Sequence, residues 1–243
     1  MWAIYKREIT SFFASPIAYL IIGIFLVING LFLWVFQGNF NIFDYGFADL
    51  SNFFLLAPWI LLLLIPAICM KSFSEEMRSG TLELLYISPS SIWQMVLAKF
   101  FAAITLATIA ILPTLLYIYS LAELGTTVGN VDLGLALGSY IGLLFLITTY
   151  TGISLFTSSI TDNQIVAFIG GLIVCFILFY FSEGLATLVS NGDIALFLKN
   201  LGLKERFETM ARGILDTRDV VYFLSLSFLF LYLAVSQLKY RSR

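Results

Sequence analysis

The sequence predicts an all-α integral membrane protein with six transmembrane helices. First, 60% of its 243 residues are hydrophobic and only 12% are charged, whereas soluble proteins average about 45–50% apolar and about 25% charged residues. Second, the apolar residues fall into six runs, each long enough to cross a bilayer, which takes about 20 residues. Third, lysine and arginine are concentrated in alternate connecting segments, as they are in multi-pass membrane proteins.

The six predicted spans form a single transmembrane domain over residues 1–243. They are Pro16 to Phe36, about Phe53 to Met70, about Val96 to Tyr119, about Leu133 to Phe156, Ile165 to Phe181 and Val220 to Leu238. The first run is too long for the apolar region of a signal peptide and lacks a small-residue cleavage site, so we expect it to be retained. We also expect an interfacial helix at 1–15, a cytoplasmic segment at 71–93 and an external segment at 184–218.

The distribution of lysine and arginine predicts that both termini are cytoplasmic. The positive charges assigned to the cytoplasmic side are Lys6, Arg7, Lys71, Arg78, Lys99, Lys239, Arg241 and Arg243. Segments 37–52 and 120–132 contain only acidic charges, which places them outside. Segment 184–218 is an exception to this distribution, because the span count places it outside although it carries five basic residues. It also carries acidic residues, and its apolar stretches, Ile194 to Leu198 and Ile214-Leu215, predict short interfacial or re-entrant helices.

Several chemistries are excluded by residues that the sequence lacks. There is no histidine, which excludes Ser/His and Cys/His catalytic pairs and histidine metal ligands. Cys69 and Cys175 lie in separate apolar runs, where we expect them to pack as small hydrophobic side chains. Lys71, Lys99 and Glu183 are assigned to span ends, so no span interior carries the charge expected of a proton- or sodium-coupled transporter.

The sequence also lacks the means to hydrolyse a nucleotide or bind a nucleic acid. No G-x-x-x-x-G-K-[ST] loop is present, and a formal net charge of −2 leaves no basic surface for nucleic acid. We therefore expect no catalytic residue, no metal site and no bound cofactor in this chain. If it moves a substrate uphill, another subunit must supply the energy.

The segment after the second span predicts a cytoplasmic helix. Ser72 and Glu75 have the spacing of a capping box, which places the helix start there and puts Glu75 and Glu76 in its first turn. The helix is expected to continue to about Tyr86, and Gly80 permits the close approach of another backbone. Such a helix is either an amphipathic connector on the lipid surface or a helix that docks into a groove on a partner.

Two further patterns concern the spans and their boundaries. Ser91 and Gln94 repeat the capping-box spacing and predict where the chain re-enters the membrane. Gly134, Gly138 and Gly142 recur every four residues, which predicts a ridge where another helix packs closely, either within the subunit or across a dimer.

Three segments resemble type-2 ABC exporter permeases. The string FSEEMRSGTLELL from Phe73 to Leu85, followed by Ser88-Pro89, is similar to the cytoplasmic signature of that family. The string YKREITSFFASPIAY from Tyr5 to Tyr19 looks like its N-terminal interfacial helix, and the segment from Phe207 to Leu226 looks like its approach to the sixth span. Within the family, these motifs look most like permease subunits associated with gliding motility, with multidrug- or copper-resistance-type permeases nearby.

The resemblance implies a role for each of these segments. Two such permeases, identical or paralogous, would pair in the bacterial inner membrane and bind two cytoplasmic ATPase subunits, which would hold ATP and Mg²⁺. The coupling residues implied by the signature are Phe73, Glu75, Glu76, Arg78, Gly80, Thr81 and Glu83. Lys6, Arg7 and Glu8 would form a second ATPase contact, and residues 184–218 would form the outer gate.

Three other functions remain open at this stage. The first is an ATP-independent transporter or channel, which would be active without an ATPase. The second is a membrane enzyme such as a lipid transferase or an intramembrane protease, which the lack of histidine disfavours. The third is a module in which an ATPase cycle acts mechanically on an envelope assembly, as the resemblance to gliding proteins suggests.

Overall fold

The protein is described by a computed structural model that covers residues 1–45, 49–83, 91–124, 132–189 and 192–241. Within these ranges the secondary structure is helical and contains no strand. The helices of the first half are α1 (Trp2–Ala14), α2 (Pro16–Gly30), α3 (Ile42–Tyr45), α4 (Ser51–Cys69), α5 (Lys71–Arg78), α6 (Ile92–Ile111) and α7 (Leu115–Leu124). Those of the second half are α8 (Leu133–Ile160), α9 (Gln164–Phe176), α10 (Ser182–Leu188), α11 (Gly192–Asn200), α12 (Leu203–Ala211) and α13 (Thr217–Arg241).

Among the described residues, six helical stretches are long and apolar enough to cross a membrane. They are Pro16–Val35, Ser51–Arg78, Ile92–Leu124, Leu133–Ile160, Gln164–Leu188 and Thr217–Arg241. Several combine more than one helix, because short π-helical or 3-10 turns continue the helical path, as Ile177–Phe181 does between α9 and α10. The predicted all-α fold with six spans is therefore confirmed.

Helix α8 lies at the centre of the bundle and contacts α4, α5, α6, α9, α12 and α13. Its neighbour α13 approaches very closely, since a Cβ atom added at Gly152 would lie 3.1 Å from the carbonyl oxygen of Ser227. Hydroxyl groups join the two helices at this crossing, where Thr149 Oγ1 lies 3.2 Å from Ser227 Oγ. Helices α2 and α9 keep large apolar side chains exposed, as expected of faces turned toward lipid.

The ends of the spans define two sides of the molecule. We call the side that carries α1 and α5 the N-terminal side; the C-terminal end of α13 lies there too, because Arg241 donates to the carbonyl of Ile160 at the end of α8. The opposite, far side carries α3, α11 and α12. On that side α11 contains the predicted helical stretch Ile194 to Leu198, but the helix predicted at Ile214-Leu215 is wrong, because those residues follow α12 in a non-helical connection that turns at Gly213 (φ +80°).

Candidate functional site

Helix α5 leaves the end of α4 and is fixed there by a serine from α8. Ser158 Oγ accepts hydrogen bonds from the backbone N–H groups of Phe73 (3.1 Å) and Ser74 (3.2 Å). The same hydroxyl donates to the carbonyl oxygen of Met70 at 3.2 Å. A residue about 85 positions away along the chain thus satisfies the first backbone donors of α5, which have no partner within the helix itself.

The capping box predicted at Ser72 is therefore wrong. Helix α5 already begins at Lys71, and Ser72 lies inside it with no side-chain cap bond. The helix also ends earlier than predicted, at Arg78, and the chain turns at Gly80, whose φ of +70° is a left-handed conformation that favours glycine. Residues 79–81 form a turn and the chain is helical again at Leu82 and Glu83, whereas the last part of the predicted helix, 84–86, lies outside the described residues. The second capping box, between Ser91 and Gln94, is confirmed at the start of α6.

Four charged side chains from α1, α5 and α6 meet beside this helix, and we call them the Lys99 cluster: Arg7, Glu8, Glu76 and Lys99. Lys99 Nζ donates to Glu8 Oε1 at 3.0 Å and to Glu76 Oε1 at 2.9 Å. Arg7 Nη2 donates to the same two oxygen atoms, at 2.9 and 2.8 Å. The Oε1 atom of each carboxylate therefore contacts both cations, Arg7 links α1 to α5, and Lys99 links α6 to both.

Lys99 is the buried member of the cluster. Its side chain is 2% exposed, and it also donates to the carbonyl oxygen of Ser72 at 2.7 Å and lies 5.1 Å from the centre of the Phe73 ring. The sequence places Lys99 at a span end, from which its side chain is expected to reach the membrane surface. In the structure it lies about two turns into α6, and its buried ammonium group bonds to α1 and α5 instead of facing solvent. The sequence contains one indication of this arrangement, namely a single lysine in an otherwise apolar helix. A buried charge is costly unless it is paired, so such a lysine is expected to have a partner.

The charges of the cluster change the ionisation of the α1 residues. Burial alone would raise the pKa of Glu8, but the charges of Lys99 and Arg7 and their hydrogen bonds outweigh it and hold the pKa below its ordinary value. Burial would lower the pKa of Arg7, but the hydrogen bonds and charges of Glu8 and Glu76 outweigh that effect and raise it. Both shifts favour the charged forms of Glu8 and Arg7.

The residues predicted to couple to an ATPase fall into two groups by exposure. Glu75, Gly80, Thr81 and Glu83 are exposed and Arg78 is half-buried. Phe73 is 1% exposed, and Glu76 points into the Lys99 cluster with its side chain 14% exposed. On α1, Lys6 is exposed, while Arg7 and Glu8 take part in the cluster. The structure thus brings Arg7 and Glu8 together with Glu76, although 68 residues separate Glu8 from Glu76 in the chain.

The family model of ABC-2 family transporter proteins matches residues 2–235 of this chain. The chain belongs to this family. It is therefore a multi-pass membrane protein and the membrane permease component of an ABC transporter, a part distinct from the ATPase. A search of curated proteins finds no significant match.

The far side of the permease carries its own ion pairs, and we call them the far-side pairs. Lys204 Nζ of α12 lies 2.6 Å from Glu183 Oε2 of α10, and Arg206 Nη1 lies 2.5 Å from Asp219 Oδ1 of α13. The Arg206 guanidinium also stacks on the ring of Tyr222 at 4.5 Å. These pairs attach α12 to α10 and α13.

The glycines of the predicted packing ridge lie on α8 beneath α12. A Cβ atom added at Gly138 would lie 3.0 Å from the carbonyl oxygen of Met210, and one at Gly142 would lie 3.1 Å from the Met210 side chain. Gly134 lies one turn away, beside the Asp132 carboxylate that caps α8. Within the described part of the permease, no group of three or more acidic, cysteine or histidine side chains is placed to hold a metal ion.

Proposed function

We propose that this permease is the membrane subunit of an ABC exporter in the bacterial inner membrane, and that a separate ATPase drives it through α1 and α5. The Lys99 cluster carries this proposal. It joins the two segments that the family resemblance marks as ATPase contacts, and it joins both to α6, which is a membrane span. Both termini and the Lys99 cluster would then lie on the cytoplasmic side, as the lysine and arginine distribution predicts.

The cluster supports coupling because its buried cation cannot easily lose a partner. Removing an acceptor from a buried lysine leaves an uncompensated charge, at a cost of about 3–5 kcal/mol. A displacement of α5 by a bound ATPase would therefore tend to carry α1 and α6 with it. Ser158 adds a second attachment from α5 to α8, the central span.

The exposure of the side chains distinguishes residues that would contact the ATPase from residues that would transmit its movement. Glu75, Thr81, Glu83 and Lys6 are exposed and available to contact an ATPase surface. Glu76, Glu8 and Lys99 are largely buried and would transmit the movement instead of touching the partner. ATP and Mg²⁺ would bind the ATPase subunits, and a second permease, identical or paralogous, would complete the transporter.

The double substitution Glu75→Ala with Glu76→Ala tests this assignment. Purified permease is reconstituted with its ATPase, and the stimulation of ATP hydrolysis by the permease is measured. We expect the double variant to insert into the membrane normally but to lose most of the stimulation, whereas Glu123→Ala, an exposed acidic residue on the far side, leaves it unchanged. Full stimulation by the double variant would contradict the coupling role of α5.

The single variants separate the two roles. Glu75→Ala should weaken ATPase binding with little change in the stability of the permease, because this side chain is exposed. Glu76→Ala should destabilise the permease, because it removes one carboxylate partner of the buried Lys99. Transport by the permease alone in proteoliposomes would instead indicate the alternative function, an ATP-independent transporter or channel.

The resemblance to gliding-associated permeases indicates a cellular process in which this permease would act. We infer an export or envelope function linked to gliding motility, in which the ATPase cycle either moves a substrate or acts mechanically. Deletion of the gene in a gliding host should abolish surface movement, and complementation with the Glu75→Ala, Glu76→Ala variant should fail to restore it. Normal gliding in the deletion strain would rule this role out and leave the permease assignment intact.

A further inference from the structure

A cavity of about 450 Å³ opens between α1, the start of α2 and the junction of α4 with α5. One wall is apolar and includes Phe12, Ile17 and Ile68, whereas the rest is polar and includes Ser11, Lys71 and Glu75. The cavity is therefore amphipathic, with its apolar wall formed by residues at the ends of two spans. It adjoins the coupling residues, because the Lys99 cluster and Glu75 form part of its lining.

The length of α4 predicts that the cavity lies at the depth of the lipid headgroups. Helix α4 contains 19 residues, which at 1.5 Å per residue extend about 28 Å, close to the hydrocarbon thickness of about 30 Å. Ile68 belongs to the last turn of α4, and Lys71 is the first residue of α5. We therefore expect the apolar wall to meet the outermost part of the acyl chains and the polar wall to meet the headgroup layer of the same leaflet.

The charges lining the cavity balance one another. Three basic and three acidic side chains line it, so an isolated anion such as phosphate gains little net attraction there. Four of the six belong to the Lys99 cluster and pair with one another, although Glu76 Oε2 is buried without a hydrogen-bond partner. The other two, Lys71 and Glu75, have no ion-pair partner among the described residues, although they lie one turn apart on α5, with Cβ atoms about 6 Å apart.

We propose that this cavity binds the headgroup of a phospholipid with a primary amine, of the phosphatidylethanolamine type. The Lys71 ammonium group would donate to the phosphodiester, and the lipid ammonium would donate to the Glu75 carboxylate. The proximal parts of the acyl chains would lie along Phe12, Ile17 and Ile68. A phosphatidylcholine headgroup carries the same charges but no N–H donor, so Glu75 would discriminate against it.

The test is lipid retention by the purified permease without any ATPase, which makes it independent of the proposed coupling. Detergent-solubilised protein is mixed with phosphatidylethanolamine, phosphatidylcholine and phosphatidylglycerol of identical acyl chains, and bound lipid is counted by native mass spectrometry. We expect one tightly retained phosphatidylethanolamine, preferred about tenfold over phosphatidylcholine, as one charge-assisted hydrogen bond allows. Equal retention of the three lipids, or a preference for phosphatidylglycerol, would overturn the proposal.

Substitutions test separately the proposed contact of Lys71 with the phosphodiester and that of Glu75 with the lipid ammonium. Lys71→Gln should weaken retention of all three phospholipids, whereas Lys71→Arg keeps a cation and should retain them. Glu75→Gln should remove the preference for phosphatidylethanolamine over phosphatidylcholine. Arg218→Gln, which removes an exposed arginine on the far side, is the matched control and should bind like the wild type. Unchanged retention and preference in both Lys71→Gln and Glu75→Gln would place the bound lipid elsewhere and overturn the assignment.

A soluble competitor distinguishes a membrane lipid from a free metabolite. Phosphoethanolamine carries the same phosphate and amine but has no acyl chains, so it should displace the bound lipid poorly. Displacement at a concentration equal to that of the lipid would contradict a lipid ligand, because the apolar wall would then contribute nothing to binding.

Discussion

The two sides of the permease use ion pairs in different ways. On the N-terminal side, one lysine that is 2% exposed shares two carboxylates with an arginine, so that α1, α5 and α6 form one connected unit. On the far side, Arg206 and Lys204 make separate pairs, and their side chains are 25% and 24% exposed. Short helices are attached to spans on both sides, but within the described residues only the Lys99 cluster has a buried cation at its centre.

This difference predicts different responses to substitution. Partly exposed pairs contribute about 1 kcal/mol or less, because water solvates the charges when a pair opens. A buried cation cannot be solvated in this way, so each of its partners is needed. Substitutions within the Lys99 cluster should therefore have non-additive effects on the free energy of unfolding, whereas substitutions in the two far-side pairs should have independent effects.

The largest expected effect follows from breaking the Lys99 cluster. Lys99→Met removes the shared cation and leaves the Glu8 and Glu76 carboxylates largely buried, with side chains 13% and 14% exposed. We expect a loss of about 3–5 kcal/mol in the free energy of unfolding, measured by denaturant titration in detergent micelles. Adding Glu8→Gln and Glu76→Gln to this variant should recover most of the loss, since the remaining Arg7 is half exposed. A triple variant as unstable as the single one would indicate a packing defect instead.

A smaller effect is expected from the serine that fixes α5. Ser158→Ala leaves the buried N–H groups of Phe73 and Ser74 without an acceptor, which should cost about 2 kcal/mol in the free energy of unfolding. Ser159→Ala is the matched control, because Ser159 Oγ donates only to a carbonyl of its own helix. Faster hydrogen exchange at the start of α5 in the Ser158 variant alone would support the assignment, and equal exchange in both variants would contradict it.

On the far side, Asp219→Asn tests the most buried pair. The substitution weakens the contact with Arg206, whose side chain remains partly solvated. We expect a loss of about 1 kcal/mol, less than for Lys99→Met, with no change in ATPase stimulation. A loss as large as that of Lys99→Met would show that the two sides do not differ as described.

The smallest effect expected is a difference in pH dependence between the two sides. The pKa of Glu8 lies below its ordinary value of 4.5, so its contribution is complete above pH 4.5 and is lost as the pH falls through the lowered pKa. For Lys204, burial lowers the pKa, but Glu183 and Glu208 outweigh it and raise the pKa above 10.5. Its contribution is therefore complete below pH 10.5 and is lost as the pH rises through the raised pKa.

Thermal unfolding between pH 3 and pH 11 measures this difference. Glu8→Gln should flatten the acidic side of the stability profile and Lys204→Gln the alkaline side. The charge arrangement of the Lys99 cluster would be contradicted if Glu8→Gln left the stability at acidic pH unchanged, or if it altered the stability at alkaline pH instead.

The sequence predicts those features that depend on composition and local spacing. The six spans follow from the lengths of the apolar runs, and the capping box at Ser91 is formed by residues three positions apart, so both were predicted. The capping box at Ser72 was predicted by the same spacing, but a hydroxyl from α8 takes its place in the folded protein. Local spacing contains no information about such a distant partner.

The Lys99 cluster could be predicted only in part. The family resemblance marked α1 and α5 as separate contacts but gave no reason to join them. Lys99 is recognisable in the sequence as a lone lysine near the start of α6, but its partners are not, because Glu8 and Glu76 lie 91 and 23 residues away along the chain. Only the folded protein shows that this lysine connects the two segments.

The most direct test of this account is ATPase stimulation by the Glu8→Gln, Glu76→Gln, Lys99→Met triple variant. This variant removes the buried charges that join α1, α5 and α6 but leaves the exposed contact residues Glu75 and Lys6 in place. We predict that it is stable and still co-purifies with the ATPase, but stimulates hydrolysis about tenfold less than the wild type, corresponding to about 1.4 kcal/mol in activation free energy. Wild-type stimulation by a folded, ATPase-bound triple variant would contradict the claim that the Lys99 cluster couples the ATPase to the membrane spans.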